Sequence, residues 1–383
     1  MSFTGKATYS SGASLPSIAE DVSDIIGIVS PYETPLLDAI GDPLRNATST
    51  YHEWLEDGLL PNRDQIVTTV WDDPADDSLF NVANSSRFRV GDQIQVEGSK
   101  ELMLVTGIGS GSLTVVRGYG ATTKESLYDD ATLNIIGGAA LEGEDKPENR
   151  FTIRQRKGNY TQIFTAAVEV SGSDLAANQI GLADEMDYQK QERLRELIRD
   201  LENTVINGGM AVSNPEGSST TRRTMNGIIQ SCQSNLFTAG DSGLPSGTVL
   251  NEELVNFMLK RIWENSNSGV DTIVVGGAQK RKINTFLSGS RVYSPDDTAY
   301  RSLVDLYESD FGLCRIILTR WMPADSVLFL DSSRLSVLPL AGRSFHFKPL
   351  ASTGDYDSGE IIGEYTLEMK NEQAHGLLRG LSV

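Results

Sequence analysis

The sequence predicts an α+β protein built from more than one packing unit, and three observations predict it. Short alternating segments punctuated by glycine fill much of the first half, one long amphipathic helix follows, and the C-terminal half returns to short apolar strands with only brief helices between them. At 383 residues the chain is long enough for two or three such units, and 39% hydrophobic with 7% aromatic residues is enough to build cores and too much for global disorder. No supersecondary unit recurs, which excludes solenoid folds.

Residues 1–47 carry little periodicity. Ser, Gly, Pro and Thr dominate, with a short apolar group at Val22, Ile25, Ile26 and Ile28, and prolines at 31, 35 and 43 leave room for one helical turn over Leu36–Ile40. Such a stretch cannot build its own core and reads as an extended arm ordered by its neighbours. Tyr51 and Glu53 then alternate with His52 and Trp54, the pattern of a strand. A partner is expected in NYTQIFTAAVEVSGS, where Ile163, Thr165 and Ala167 alternate with Phe164, Ala166 and Val168. Two strands about 100 residues apart imply a hairpin that carries an insertion, with the hairpin over 48–74 and 142–170. The insertion, expected over 75–141, has its own character. RFRVGDQIQVEG, KELMLVTGIGSG, SLTVVRGYGATT and ATLNIIGG are short alternating runs broken by glycine, the mark of a small all-β barrel or sandwich, and DDPADD and EGEDKPEN flank them as acidic linkers.

The long helix is expected over 183–207. Leu194, Leu197, Ile198, Leu201 and Val205 form its apolar stripe, Asp184 and Glu185 favour its start, and Gly208 stops it. At about 1.5 Å per residue it is a rod of about 36 Å. A second helix starts at an Asn251 cap, uses Leu254, Val255, Met258 and Ile262, and ends before Gly269. DTIVVGG is then a buried strand, AQKRKINTFL a helix, and RIILT, SVLFLD, RLSVLPL, FHFKPL and EIIGEYTLEMK are strands, with EQAHGLLRGL closing the chain.

No constellation for catalysis emerges. GIGSG at 107–111 lacks the third glycine of a dinucleotide fingerprint and leads into a strand, so it reads as a hairpin turn. TIVVGG followed by QKRKINTFL is a strand–turn–helix without the further βα units a nucleotide site needs. GDSG at 240–243 continues with Leu244 where a serine-protease motif has glycine, and none of the three histidines has a matching context. HEWLE at 52–56 places Glu56 where a zinc-protease helix needs its second histidine, and it lies in an expected strand. DDPADD lacks the glycine and ligand spacing of a calcium loop. Cys232 and Cys314 are too few for a disulfide framework and read as reduced thiols. No catalytic, cofactor-binding or metal-binding residue is therefore assigned. The polar start without an apolar middle predicts synthesis in the cytoplasm, and no apolar run approaches the roughly 18 residues of a membrane span. A net charge of −19 opposes a broad nucleic-acid-binding surface and is compatible with a container whose wall repels phosphate.

The order of these blocks resembles the major capsid proteins of tailed bacteriophages with the Hong Kong 97-type fold, and more closely those whose extended loop carries a β insertion. The blocks are YHEWLEDGL, VGDQIQVEG with LTVVRGYGATT and LNIIG, NYTQIFTAAVEVSGS, the helix ending at NGG, and EYTLEMKNEQAHG; together they span most of the chain. The resemblance implies an N-terminal arm over 1–47, an extended loop over 48–74 and 142–170, and the inserted domain over 75–141. It further implies a peripheral domain over 171–269 and 341–383 with 183–207 as its spine helix, and an axial domain over 270–340. Candidate inter-subunit contacts on the loop are Tyr51, Trp54, Tyr160, Phe164, Arg156 and Lys157. The expected partners are copies of the chain in hexamers and pentamers, a portal protein, a separate scaffolding protein and a decoration protein, with double-stranded DNA enclosed without specific binding and no membrane. The expected destination is the virion. No position matches the residues that crosslink loops in the archetype. A phage tail or baseplate protein, which would share the β module, and a cytoplasmic hydrolase using carboxylates are the alternative readings.

If the negative charge lines an interior, the purified chain leaves double-stranded DNA unshifted in a mobility assay at physiological salt, and tight, salt-sensitive binding would contradict that reading.

Overall fold

A computed structural model describes residues 33–143, 145–146, 149–152, 154–176, 185–266, 269–288 and 306–383. The apolar group of the arm and Asp184 lie outside the described residues. The chain forms two compact units, one of residues 55–155 and one of 1–54 with 156–383.

The arm contributes α1 (Pro35–Ile40), which begins with proline at its first position, where a missing N–H costs nothing. β1 (Tyr51–Glu56) follows. The smaller unit then contains β2 (Arg63–Gln65), β3 (Leu79–Asn81), β4 (Asp92–Val96), β5 (Met103–Ile108), β6 (Ser112–Val116) and β7 (Thr132–Gly138). Their order is β2-β7-β4-β5-β6-β3, every pair antiparallel. The two end strands also meet: Ile66 bridges Val82, the Val67 amide donates to Asn81 O and the Ala83 amide to Gln65 O, both at 3.0 Å. The six strands thus close into a barrel, which removes free edges. Alternation directs Ile66, Phe80, Ile94, Val96, Met103, Val105, Leu113, Val115 and Leu133 inward.

The barrel starts earlier than the expected boundary at residue 75. β2 and Ile66 are part of its wall, and three residues reading Arg-Asp-Gln are too short and polar to announce a strand. DDPADD is accordingly a connection inside the barrel and not a linker outside it. Asp77 accepts the Asp72 and Asp73 amides at 2.9 and 3.3 Å. The loop is fastened from within by a buried ion pair. Arg117 meets Glu101 through two bonds of 2.8 Å, and also donates to the carbonyls of Pro74, Asp77 and Glu125. Burial pushes the Glu101 carboxyl up, but the Arg117 bond and the amides of Glu125 and Gly118 outweigh it and leave it lowered.

The larger unit continues with β8 (Gln155–Tyr160), β9 (Gln162–Ser171), α2 (Gly172–Ala176), α3 (Glu185–Asn207), α4 (Ile228–Ser231), β10 (Leu236–Thr238), α5 (Glu252–Asn265), β11 (Thr272–Val275) and α6 (Gly277–Ser288). It ends with β12 (Leu306–Ser309), β13 (Gly312–Leu318), β14 (Val327–Leu330), β15 (Leu335–Pro339), β16 (His346–Leu350), β17 (Tyr356–Met369) and β18 (Gly376–Arg379). A mixed six-stranded sheet runs β10-β18-β14-β11-β13-β12. A second sheet is built on β17, with β15 and β16 along one edge and β9 along the other.

Strand alternation makes the mixed sheet serve two cores. Ile273, Val275, Ile316 and Phe329 pack on one face with Leu254, Met258 and Ile262 of α5. Val274, Ile317, Leu328 and Leu377 belong to the other core, with α3 and the β17 sheet. Asn251 caps α5 as expected, accepting the Leu254 amide at 2.8 Å. In α3, Leu197, Leu201 and Val205 are buried and Leu194 packs against the same core, whereas Ile198 is half-buried. The stripe instead continues at Ile206, and it contains a fully buried carboxylate, Glu202.

Two further expectations are corrected. The partner of β1 is β8, not the 163–168 segment. β8 reads Gln-Arg-Lys-Gly-Asn-Tyr, mostly polar on both faces, and carries no alternation to detect. β9 pairs with β17 over ten positions, from Gln162 opposite Tyr365 to Ser171 opposite Tyr356. The segment 270–340 is also not self-contained: its sheet draws β10, β18 and α5 from outside that span and gives up β15 to the β17 sheet.

The chain crosses between the two sheets three times, after β9, after β14 and after β17, and His375 ties the last two crossings together. Its Nδ1 accepts the Asp331 amide at 3.3 Å, and its carbonyl accepts from Asn235. Burial pushes the imidazole down to about 4, with Arg334 adding to the fall and Asp331, Glu372 and the Lys370 backbone opposing it.

Two outcomes follow from this packing. Leu201→Asp places a charge in the core with no partner; it is expected to destabilise by more than about 3 kcal/mol and to yield insoluble protein, read as soluble yield and urea midpoint. Because the fold favours neutral His375, its contribution is complete above pH 6.5 and is lost as pH falls through about 4. At about 1.4 kcal/mol per pH unit this is of order 3 kcal/mol. His375→Asn, whose side-chain oxygen can still accept the Asp331 amide, is expected to flatten the fall of Tm over that window.

Candidate assembly surface

The β17 sheet has one apolar and one polar face, and the polar face is the unusual one. Ile361, Leu367 and Met369 enter the core from one side. On the other side stand Glu360, Glu364, Thr366 and Glu368, an alternation that normally marks a solvated face. Here Glu364 and Glu368 are buried at 2% and 1% exposure, because the arm and the base of the β1–β8 ribbon lie over them.

Glu368 is met by Arg45 of the arm, by His52 Nε2 at 2.5 Å and by Lys370 at 3.0 Å. Burial pushes its carboxyl up, but the hydrogen bonds of His52 and Lys370 and the charges of Lys370 and Arg45 outweigh it and hold it at about 2. Glu364 is met by Thr161 Oγ1 at 2.6 Å, by Arg223, and by Arg343 at 2.7 Å. Asn159 of β8 donates to Asn226 O and Leu367 O, both at 2.9 Å, and accepts the Asn226 amide at 2.9 Å. A third carboxylate seats α1: Glu202 accepts the Leu36 and Leu37 amides at 3.2 and 3.3 Å and the Thr319 hydroxyl at 2.9 Å. There burial prevails and the carboxyl is raised. The backbone adds one more seam, with Ala47 bridged to Leu340.

Above this base the ribbon has only two strands. Tyr51 and Tyr160 stack across it with centroids 4.5 Å apart. Gly158 permits the stack, since a Cβ there would lie 2.7 Å from the Tyr51 ring and 2.8 Å from the His52 carbonyl. Trp54 is half-buried, 6.0 Å from His52. Arg156 and Lys157 are exposed, Arg156 facing Glu53 at 3.7 Å. Five of the six candidate contacts therefore lie on the ribbon. Phe164 does not: it is 6% exposed, in the core, edge-on to Phe345 at 6.4 Å. Its sequence alternation was that of a buried strand, and only the wrong pairing placed it on the loop.

Large apolar side chains remain uncovered elsewhere. Leu306 lies on β12, the edge strand of the mixed sheet among the described residues, Leu313 is exposed on the adjoining β13, and Trp263 stands beside Phe311 at 6.0 Å. Exposed apolar groups and open edges are what an assembling subunit covers with its neighbours.

Each of the three histidines makes a hydrogen bond within the fold. His52 holds Glu368, His346 meets its own Ser344 carbonyl at 2.7 Å, and His375 receives Asp331. Burial pushes the Cys232 thiol up to about 12 and Cys314 to about 11, with the charges of Glu372 and Asp271 adding to it. A cleft of about 310 Å³ between β9 and α3 is lined by Ala167, Val168, Glu169, Gln189 and Arg193, without a nucleophile and base. Among the described residues, no cluster of His, Cys, Asp or Glu is placed to hold a metal ion, and no helix is long and apolar enough to cross a membrane.

Comparison with known proteins agrees with a shell subunit. The capsid of a native GTA particle shares 10% identity, with 99% of this chain and 100% of that chain covered and a TM-score of 0.56. The capsid of Myoviridae phage XM1 shares 11% identity, with 97% and 100% covered and a TM-score of 0.52. At such identities these likenesses speak to the fold, which is the Hong Kong 97-type capsid fold. No curated protein matches. The model of the SU10 major capsid protein family matches residues 3–382, and the chain belongs to that family.

Proposed function

We propose that the chain is the structural subunit of an icosahedral head, assembling into hexamers and pentamers that enclose double-stranded DNA. The observation that carries this is the polar face of β17. Arm and ribbon are bound at their bases by buried carboxylates, while the ribbon itself is left two strands wide with exposed Tyr51, Arg156 and Lys157. A two-stranded ribbon with these side chains exposed suits contact with another copy. The ribbon reaches over one neighbour and the arm passes beneath another. The open edges of the mixed sheet face the ring centre, a heterologous contact that closes on itself. A portal protein, a separate scaffolding protein and a decoration protein are the expected partners, and the assembled virion is the destination. No catalytic step is assigned.

Purified chain, alone or with a scaffold, is expected to give rings or shells by size exclusion and negative-stain imaging, and a Tm that rises with concentration because the folded chain binds itself. A strictly monomeric chain under both conditions would overturn the reading. The barrel is expected to be separable. Its core draws only on its own residues, and the Ile135 amide donates to Asn62 O at 2.8 Å, so the ends of the inserted stretch lie together. Replacing residues 62–139 by a short Gly-Ser linker is expected to leave a soluble, cooperatively melting chain that forms weaker shells. Molten product would show that the barrel supports the main core.

A further inference from the structure

The barrel segregates charge between its ends and its wall. Charged side chains crowd its ends: the 72–77 loop, Arg87, Lys124, Glu125, Asp129 and Asp130. Its outer wall is nearly free of them. Outward positions are occupied by residues such as Gln93 on β4, Leu104 and Thr106 on β5, Thr114 and Val116 on β6, and Leu79 on β3. Among the described residues, Arg63 on β2 is the only charged side chain at such a position. In a chain that is 22% charged with a net charge of −19, a wall of this kind calls for an explanation.

Leu79 and Val116 are 58% and 48% exposed, so the wall is not covered by this chain. Leu104 lies directly opposite Val116 in the β5–β6 ladder, and Leu79 lies opposite Thr114 in the β3–β6 ladder. The apolar groups therefore sit on adjoining strands. In a closed six-stranded ring β5 is three strands from β2 in either direction, so Leu104 lies across the barrel from Arg63, while Val116 on β6 is two strands from β2 and Leu79 on β3 is next to it.

We propose that the β5–β6 wall is a two-fold contact, in which the barrel of one copy meets the same wall of a second copy around the Leu104–Val116 pair. This rests on the shell reading above and names a contact within it. The occupant follows from charge. Copies carrying −19 repel one another over most of their surface, and a self-complementary contact brings each residue near its own equivalent, so any charge near the axis meets its like. A neutral, flat wall of Leu, Val, Thr and Gln meets that requirement. A strongly charged partner would instead leave its own charges desolvated against a wall with nothing to pair them.

The test uses full-length chain. Val116→Lys alone and Val116→Glu alone are each expected to assemble with at least about a tenfold higher free-subunit concentration, since like charges set together cost several kcal/mol and about 1.4 kcal/mol is tenfold. Mixing the two variants is expected to restore assembly, because each lysine then meets a glutamate. As a second measurement, oxidised shells of Val116→Cys are expected to yield disulfide-linked dimers, while Asn134→Cys on β7, three strands round the ring from β6, yields none. Wild-type assembly by both charged variants, or losses that mixing leaves unrestored, would overturn the contact. So would intact Val116→Cys shells without dimers. Wild-type chain that never assembles would overturn the shell reading itself, and this contact with it.

Discussion

Three carboxylates withdrawn from water hold this structure together. Glu202, Glu364 and Glu368 are each almost fully buried, and an unpaired carboxylate in such a place would cost several kcal/mol. Each must therefore be met, and what meets them comes from distant parts of the chain: Arg45 and the α1 amides from the arm, His52 from the ribbon, Thr161 and Arg223 from the segments flanking β9 and α4, and Thr319 from the mixed sheet. Hydrophobic burial holds the sheets and α3 together without dictating direction. The carboxylates dictate direction, because a guanidinium or an amide pair satisfies them only in one geometry. They fix where an arm with little core of its own leaves the body.

The protonation behaviour of the three groups fits that division. Glu368 has cations on several sides and is held ionised well below the usual carboxylate range. Glu202 has only amides and a hydroxyl, and burial raises it. The arm is thus fastened twice, by the Arg45 charge at Glu368 and by the neutral α1 amides at Glu202, and the ribbon by the His52 hydrogen bond to Glu368. The α1 contact is weakly sensitive to salt, as expected where backbone N–H groups are the donors, whereas the Arg45–Glu368 pair is screened as salt rises.

Much of the fold was legible in the sequence, and the failures have physical causes. The spine helix, the Asn251 cap, the buried Thr272–Val275 strand and the glycine-punctuated barrel all show a period that the backbone imposes. The ribbon partner was misread because β8 buries little and so carries no alternation, while β9 buries one side and looks like any good strand. The barrel's first strand is three polar residues, below the length at which a period exists. The covered face of β17 is a subtler case. Glu360, Glu364 and Glu368 at every fourth position have the pattern of a solvated face, yet Glu368 is covered by the arm and ribbon from more than 300 residues away and Glu364 by Thr161, Arg223 and Arg343. Long-range pairing of polar groups has no local signature, so the candidate contacts could be placed on the ribbon while what anchors the ribbon could not.

A net charge of −19 bears differently on the two units. In the larger unit, ion pairs such as Arg223–Glu364 and Arg45–Glu368 spend cations on buried carboxylates and leave the surplus acid outside, which favours solubility and opposes association. A shell subunit must nevertheless touch its copies, so the contacts that form it have to be apolar, complementary in sign or neutral. The exposed ribbon offers cations at Arg156 and Lys157, the β12–β13 end of the mixed sheet offers Leu306 and Leu313, and the barrel offers a wall almost without charge. These differ in chemistry, and each suits a different relation between copies. Basic groups suit a heterologous contact with an acidic neighbour, and a neutral wall suits a contact of like with like, where any charge would be doubled.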